Sequence, residues 1–129
     1  MRFMLPAAVA LALASTPAAA FDDRVEASLR KLEPETRFHQ ICDIETMRRI
    51  QAAGGPLHPD RMVMDARSDA KLDGDVLSGS GGAIRSSGKW YRLTFQCRAS
   101  ADRMTVLALT YRIGEPIPER EWERYGLWR

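Results

Sequence analysis

Between Gly81 and Cys97 the chain reads GGAIRSSGKWYRLTFQC, and the Ser87-Gly88 pair separates two runs with strand-like alternation. A two-residue turn there sets Ser86 against Lys89, Arg85 against Trp90, Ile84 against Tyr91, Ala83 against Arg92 and Gly82 against Leu93. Side chains directly opposite one another share a sheet face. One face then holds Ile84, Tyr91, Leu93, Phe95 and Cys97, which is a core face. The other holds Arg85, Trp90, Arg92, Thr94 and Gln96, which is amphipathic. Glycine at 81 and 82 leaves space for Leu93 and whatever packs above it. A phosphate loop is the competing reading, but its pattern is G-x-x-x-x-G-K-[ST]. Here five residues lie between Gly82 and Gly88, Trp90 follows Lys89, and no helix signal follows.

The next strand agrees. In Thr105 to Ile113, Leu107, Leu109, Tyr111 and Ile113 alternate with Val106, Ala108, Thr110 and Arg112, and the larger set belongs with Leu93 and Phe95. Met62 to Ala66 alternates weakly, and Val76-Leu77 leads into a Gly-Ser stretch. Gly114-Glu115-Pro116 breaks the strand pattern. Upstream, Asp22 and Asp23 are N-cap residues, with Glu26 placed as in a capping box after Asp23. Val25, Leu29 and Leu32 then recur at helical spacing, predicting a helix over 23–32. Pro34 suits a first helical turn. A second helix starts there and runs to about Ala52, with Phe38, Ile41, Cys42, Ile44 and Met47 on a wide apolar stripe. Pro118 opens a short terminal helix carrying Trp122, Tyr125, Leu127 and Trp128. The expected class is α+β: two N-terminal helices and a short C-terminal helix packed on a four-stranded antiparallel sheet.

The first twenty residues stand apart. Arg2, the apolar run MLPAAVALALA and Ala18-Ala19-Ala20 read as a secretory signal peptide over 1–20, cleaved after Ala20. The apolar run is too short for a transmembrane helix, and no later segment can span a bilayer. Residues 21–129 form one domain. The full chain of 129 residues carries a net charge of +2, and losing Arg2 brings that to about +1. Such a balance gives little long-range steering. With export, it argues against nucleic acid as a partner. In an oxidising compartment two cysteines pair, so Cys42 and Cys97 are expected to form one disulfide pinning the second helix across the sheet. Free thiols or a metal site with His39 are the alternatives, but zinc needs further ligands and His58 is the only other histidine.

For function, the outward face supplies the candidates. Arg85, Trp90, Arg92 and Arg112 together form a basic-aromatic surface for a protein or anionic envelope component. The alternative is a solvated face, or one partly covered by the C-terminal helix with Trp122 and Trp128. No catalytic, cofactor or metal residues are assigned. His39 and His58 read as surface residues. Asp43, Glu45, Asp65, Asp69, Asp73 and Asp75 could supply paired carboxylates, but seventeen acids make that choice uninformative. Asp69, Asp73 and Asp75 around Gly74 lack the terminal glutamate of a calcium loop. A small inhibitor of an envelope-acting hydrolase is the second function class, with Asp69 to Gly82 as its protruding loop. An enzyme of unidentified class is the third.

Several spaced words carry a resemblance: Pro34-Glu35-Thr36-Arg37, Cys42-Asp43-Ile44-Glu45, Gly88 to Cys97, Tyr111-Arg112-Ile113-Gly114, and Ile117-Pro118 with Trp122. Together they resemble an uncharacterised alphaproteobacterial domain-of-unknown-function family, DUF930, over about Leu32 to Leu127. The resemblance implies a bacterial, exported, single-domain protein with a structural cysteine pair. It carries no activity and no catalytic residues. The expectation is a periplasmic, non-enzymatic binding module.

Overall fold

The computed structural model describes residues 21–129, so the expected signal peptide over 1–20 lies outside the described residues. Helix α1 spans Asp23–Arg30. Its cap is Asp22, whose carboxylate accepts from the Arg24 and Val25 amides at 3.0 Å. Glu26 does not close a capping box on Asp23; its side chain pairs with Arg30 one turn on. Helix α2 spans Pro34–Ala52, with proline in its first turn as the sequence predicts. Its buried side chains are Phe38, Ile41, Cys42, Glu45, Thr46 and Ile50. Buried Glu45 is held by Arg48 and Arg49, and donation from Arg48 keeps its carboxyl below the usual range.

Five strands follow: β1 Pro59–Val63, β2 Lys71–Asp73, β3 Val76–Ser86, β4 Lys89–Ala99 and β5 Val106–Pro116. All pairings are antiparallel, in the order β1-β3-β4-β5. β1 and β2 pair with opposite ends of the same edge of β3. The sheet is therefore four positions wide but built from five strands, one more than the sequence predicts. The short β2 carries too little alternation to be seen in advance.

The hairpin register is the expected one, from Ser86↔Lys89 through Gly82↔Leu93. Ser87 and Gly88 both take positive φ, 50° and 73°, as a type I′ turn requires. Beyond Gly82 the register slips by one residue before Gly79↔Phe95, a bulge in β3. Gly81 lies in that bulge because the chain after β1 presses on it. A Cβ there would overlap the Ser68 hydroxyl and backbone nitrogen. The Arg67 amide donates to the Gly81 carbonyl at 2.8 Å.

β5 departs from the expected strand in two ways. It continues through Gly114-Glu115-Pro116 instead of breaking there, because an extra residue is absorbed between Ile113 and Pro116 while Tyr91 and Leu93 stay in register. Leu107, expected in the core, is 54% exposed. Ala108 pairs with Arg98 and Val106 with Ala99, so Leu107 is the extra residue of a second bulge, with no partner on β4.

The same bulge turns Val106, expected outward with Ala108, onto the core face opposite Ala99. The core face is otherwise as expected. Leu77, Ile84, Leu93, Phe95, Cys97 and Leu109 pack with Leu29, Phe38, Ile41, Cys42 and Ile50 in one cluster. Cys42 and Cys97 form the disulfide, both fully buried. It ties the middle of α2 to the sheet's central hairpin strand.

The terminal segment differs most. Instead of a short α-helix it forms two 3-10 turns, Glu119–Glu121 and Glu123–Tyr125, closed by Gly126 at φ 66°. It lies on the sheet face opposite the helices. Ile117, Trp122 and Leu127 form a second buried cluster there with Ala83 and Trp90, edged by Val63, Ala66 and Tyr125. The sheet is thus sandwiched between a helical layer and a C-terminal strap.

Candidate functional site

The strap divides the outward face into a covered and an open half. Trp90, expected on a binding surface, is fully buried under it. Its indole N–H donates to the Trp128 carbonyl at 2.6 Å, and the two rings meet edge-on with centroids 5.3 Å apart. The physical reason is simple: a tryptophan flanked by Ala83 and Val63 offers apolar area that the C-terminal residues gain more by covering than water does. Trp122 docks likewise, donating to the Ile117 carbonyl at 2.8 Å.

Arg85 is also committed to structure. Its fork reaches Asp60 through Nε and Nη2, both at 3.0 Å. Its guanidinium lies 5.8 Å from the Trp90 ring centroid and 5.5 Å from that of Trp128. Donation from Arg85 holds the Asp60 carboxyl below the usual range. Arg85 and Trp90 thus anchor the strap and are not free to bind a partner.

Arg92 and Arg112 belong to the open half, and both are exposed. Arg112 pairs with Thr94 across the β4–β5 ladder, Gln96 with Thr110, and Arg98 with Ala108. Gly114 sits beside Arg92; a Cβ there would come within 3.2 Å of the Arg92 Cβ. Arg98 is the residue that sequence reasoning missed. It shares the parity of Arg92, Thr94 and Gln96, and β4 extends two residues beyond the predicted end at Cys97. No ion pair engages Arg92, Arg98 or Arg112 among the described residues. Two shallow hollows run between the strands. One of about 330 Å³ is bordered by Thr94, Gln96, Thr110 and Arg112. The other, of about 220 Å³, is bordered by Val76, Gln96, Arg98 and Ala108. The surface is shallow, basic and rich in hydrogen-bonding groups, and it sits on a braced sheet.

Other sequence candidates are not brought together. His58 hydrogen-bonds Gln51 through Nδ1 at 3.0 Å and anchors its own amide on the Ser86 hydroxyl at 2.8 Å. Among the described residues no three His, Cys, Asp or Glu side chains converge on one point. The segment 69–82 is not a loop. It contains β2, a turn at Gly74 and the start of β3, and Arg103 ties the turn down through Asp75 Oδ1 at 2.5 Å and the Gly74 carbonyl at 3.0 Å.

One titration stands out. Asp43, on α2 beside the disulfide, has its pKa pushed up to about 8 by burial and by the nearby Asp65 charge. Its Oδ1 is sealed from solvent with no hydrogen-bond partner among the described residues.

A family model described as a Domain of Unknown Function, DUF930, matches residues 29–127, the span that runs from the end of α1 through α2 and the whole sheet to Leu127 in the strap. The chain belongs to the DUF930 family. No curated protein and no solved structure matches it. The DUF930 match covers both cysteines, Arg92, Arg98 and Arg112, and ends at Leu127, the last residue buried in the strap cluster. Among the described residues no helix is long and apolar enough to cross a membrane.

Proposed function

We propose that this DUF930 protein is an exported, periplasmic, non-enzymatic binding module that docks an anionic partner on the open half of its sheet. The observation that carries the reading is the set of three exposed guanidinium groups, Arg92, Arg98 and Arg112, engaged in no ion pair among the described residues. Guanidinium forks match carboxylate and phosphate oxygens. The strands beneath them are fixed by the ladder and by the Cys42–Cys97 bond, so little ordering is needed on binding. The signal-peptide pattern and the buried disulfide support an oxidising compartment.

The test is a titration with poly-glutamate at low and high salt. The wild-type protein should bind in a salt-sensitive way. A triple variant, Arg92→Ser with Arg98→Ser and Arg112→Ser, should lose most of that binding while keeping its unfolding midpoint. A control with Arg120→Ser and Arg124→Ser on the strap should bind as wild type. Equal binding by the triple variant and wild type would refute the reading.

A further inference from the structure

The backbone of β5 offers more than a border to the basic face. Because Ser86–Lys89 closes a two-residue hairpin, the odd-numbered residues of β4 hydrogen-bond to β3 and the even-numbered ones to β5. Three further bonds agree: the Ile117 amide donates to the Trp90 carbonyl, the Ser100 amide to the Thr105 carbonyl, and the Ala99 amide to the Asp75 carbonyl. Ala108, Thr110 and Arg112 therefore bond inward to β4. Leu109, Tyr111 and Ile113 turn their N–H and C=O groups outward, away from the sheet. Of these outward groups, the Leu109 carbonyl alone has a partner among the described residues, Arg49 Nη1 at 3.1 Å.

The sheet's other edge is defended along its length, whereas β5 carries its bulges and its proline only at its two ends. β1 is short, begins at Pro59 and bulges at Asp60, and β2 has only three residues. Such devices discourage edge pairing. From Ala108 to Ile113, β5 keeps an unbroken register and holds ALTYRI, without proline or bulge. A strand added there would lie about 4.8 Å away, with side chains alternating between the two faces. On one face its neighbours are Leu109, Tyr111 and Ile113, which are buried or half-buried; on the other they are Thr110 and Arg112, with Arg92 beyond. A second copy of ALTYRI would bring another arginine and no acid to this row.

We infer that β5 receives an extended partner segment in which acidic and apolar residues alternate, the acidic ones over Arg112 and Arg92 and the apolar ones over Tyr111 and Ile113. This rests on the basic-face reading above and specifies the partner as a polypeptide strand. Main-chain bonds to the Tyr111 and Ile113 edge supply affinity, and the alternation supplies specificity.

A short peptide alternating Glu with Val is the probe, compared with a scrambled peptide of the same composition and one with Lys in place of Glu. Amide hydrogen exchange on the wild-type protein reads the edge directly, without any variant. The alternating peptide should slow exchange at Leu109, Tyr111 and Ile113. It should bind at least about tenfold more tightly than either control, and Arg112→Glu should weaken it by a similar factor. Equal binding of the scrambled peptide, sensitive to Arg112→Glu but without edge protection, would overturn strand addition and leave the basic-face reading standing. Failure of every acidic probe to bind would overturn both.

Discussion

Asp43 shows how far a single residue's chemistry depends on what surrounds it. In the chain it is one acid among seventeen, and neither its neighbours nor its spacing marks it. In the fold its Oδ1 is sealed without a partner, and its pKa moves from 3.8 to about 8, first through burial and then through the charge of Asp65. The folded state therefore binds this proton more tightly than the unfolded chain does. The stabilisation it gives is complete below pH 4 and is lost as pH rises toward about 8. The total is on the order of a few kcal/mol. Glu45 and Asp60, held low by their arginines, act in the opposite sense and lose stability only in acid, so the two effects separate in pH. Asp43→Asn should unfold at higher urea than wild type at pH 8, with the gap narrowing toward pH 5. Urea midpoints at the two pH values check this. Arg85 and Arg92 make the same point at the surface. Both lie on the outward face by alternation, yet one is bound by Asp60 and two indoles while the other is exposed and makes no ion pair among the described residues.

At the scale of elements, local signals were legible where one residue dictates backbone geometry. Pro34 placed the start of α2, and Ser87-Gly88 fixed the register of the central hairpin to the residue. Bulges were not legible, because each depends on what presses on the strand from elsewhere. Gly81 was readable as a residue that makes room, but its occupant, Ser68, belongs to a different segment. Gly81→Ala would drive a Cβ into the Ser68 backbone, which cannot rotate aside as a side-chain tip could. It should destabilise the protein by about 1–3 kcal/mol, read as a drop in the urea midpoint. Gly88→Ala meets open space, so any cost there comes from its positive φ alone. The bulge at Leu107 moved an expected core leucine into solvent for the same reason: alternation gives parity only while the register is unbroken.

For the whole molecule, the Cys42–Cys97 bond joins the helical layer to the sheet across a sequence separation of 55. Closing a loop of that length restricts the unfolded chain by about 4 kcal/mol in the chain-entropy estimate. A Cys42→Ser, Cys97→Ser double variant should lose stability of that order in urea unfolding, and the wild type should shift similarly when unfolded under reductant. Intact mass measured without reductant should show no free thiols in the wild type. The sequence alone determined the α+β class, the span of α2, the hairpin register, the inward parity of Tyr91, Leu93, Phe95 and Cys97, and the cysteine pairing. The first four follow from backbone preferences and from the two-residue period of a strand, which are local; the pairing follows from the chain having only two cysteines. Tertiary structure decided which part of the outward face meets water. The last twelve residues fold back over Trp90 and Ala83, leaving Arg92, Arg98 and Arg112 open. Burial is a property of two surfaces brought together, and no pattern within one strand states which distant segment will cover it.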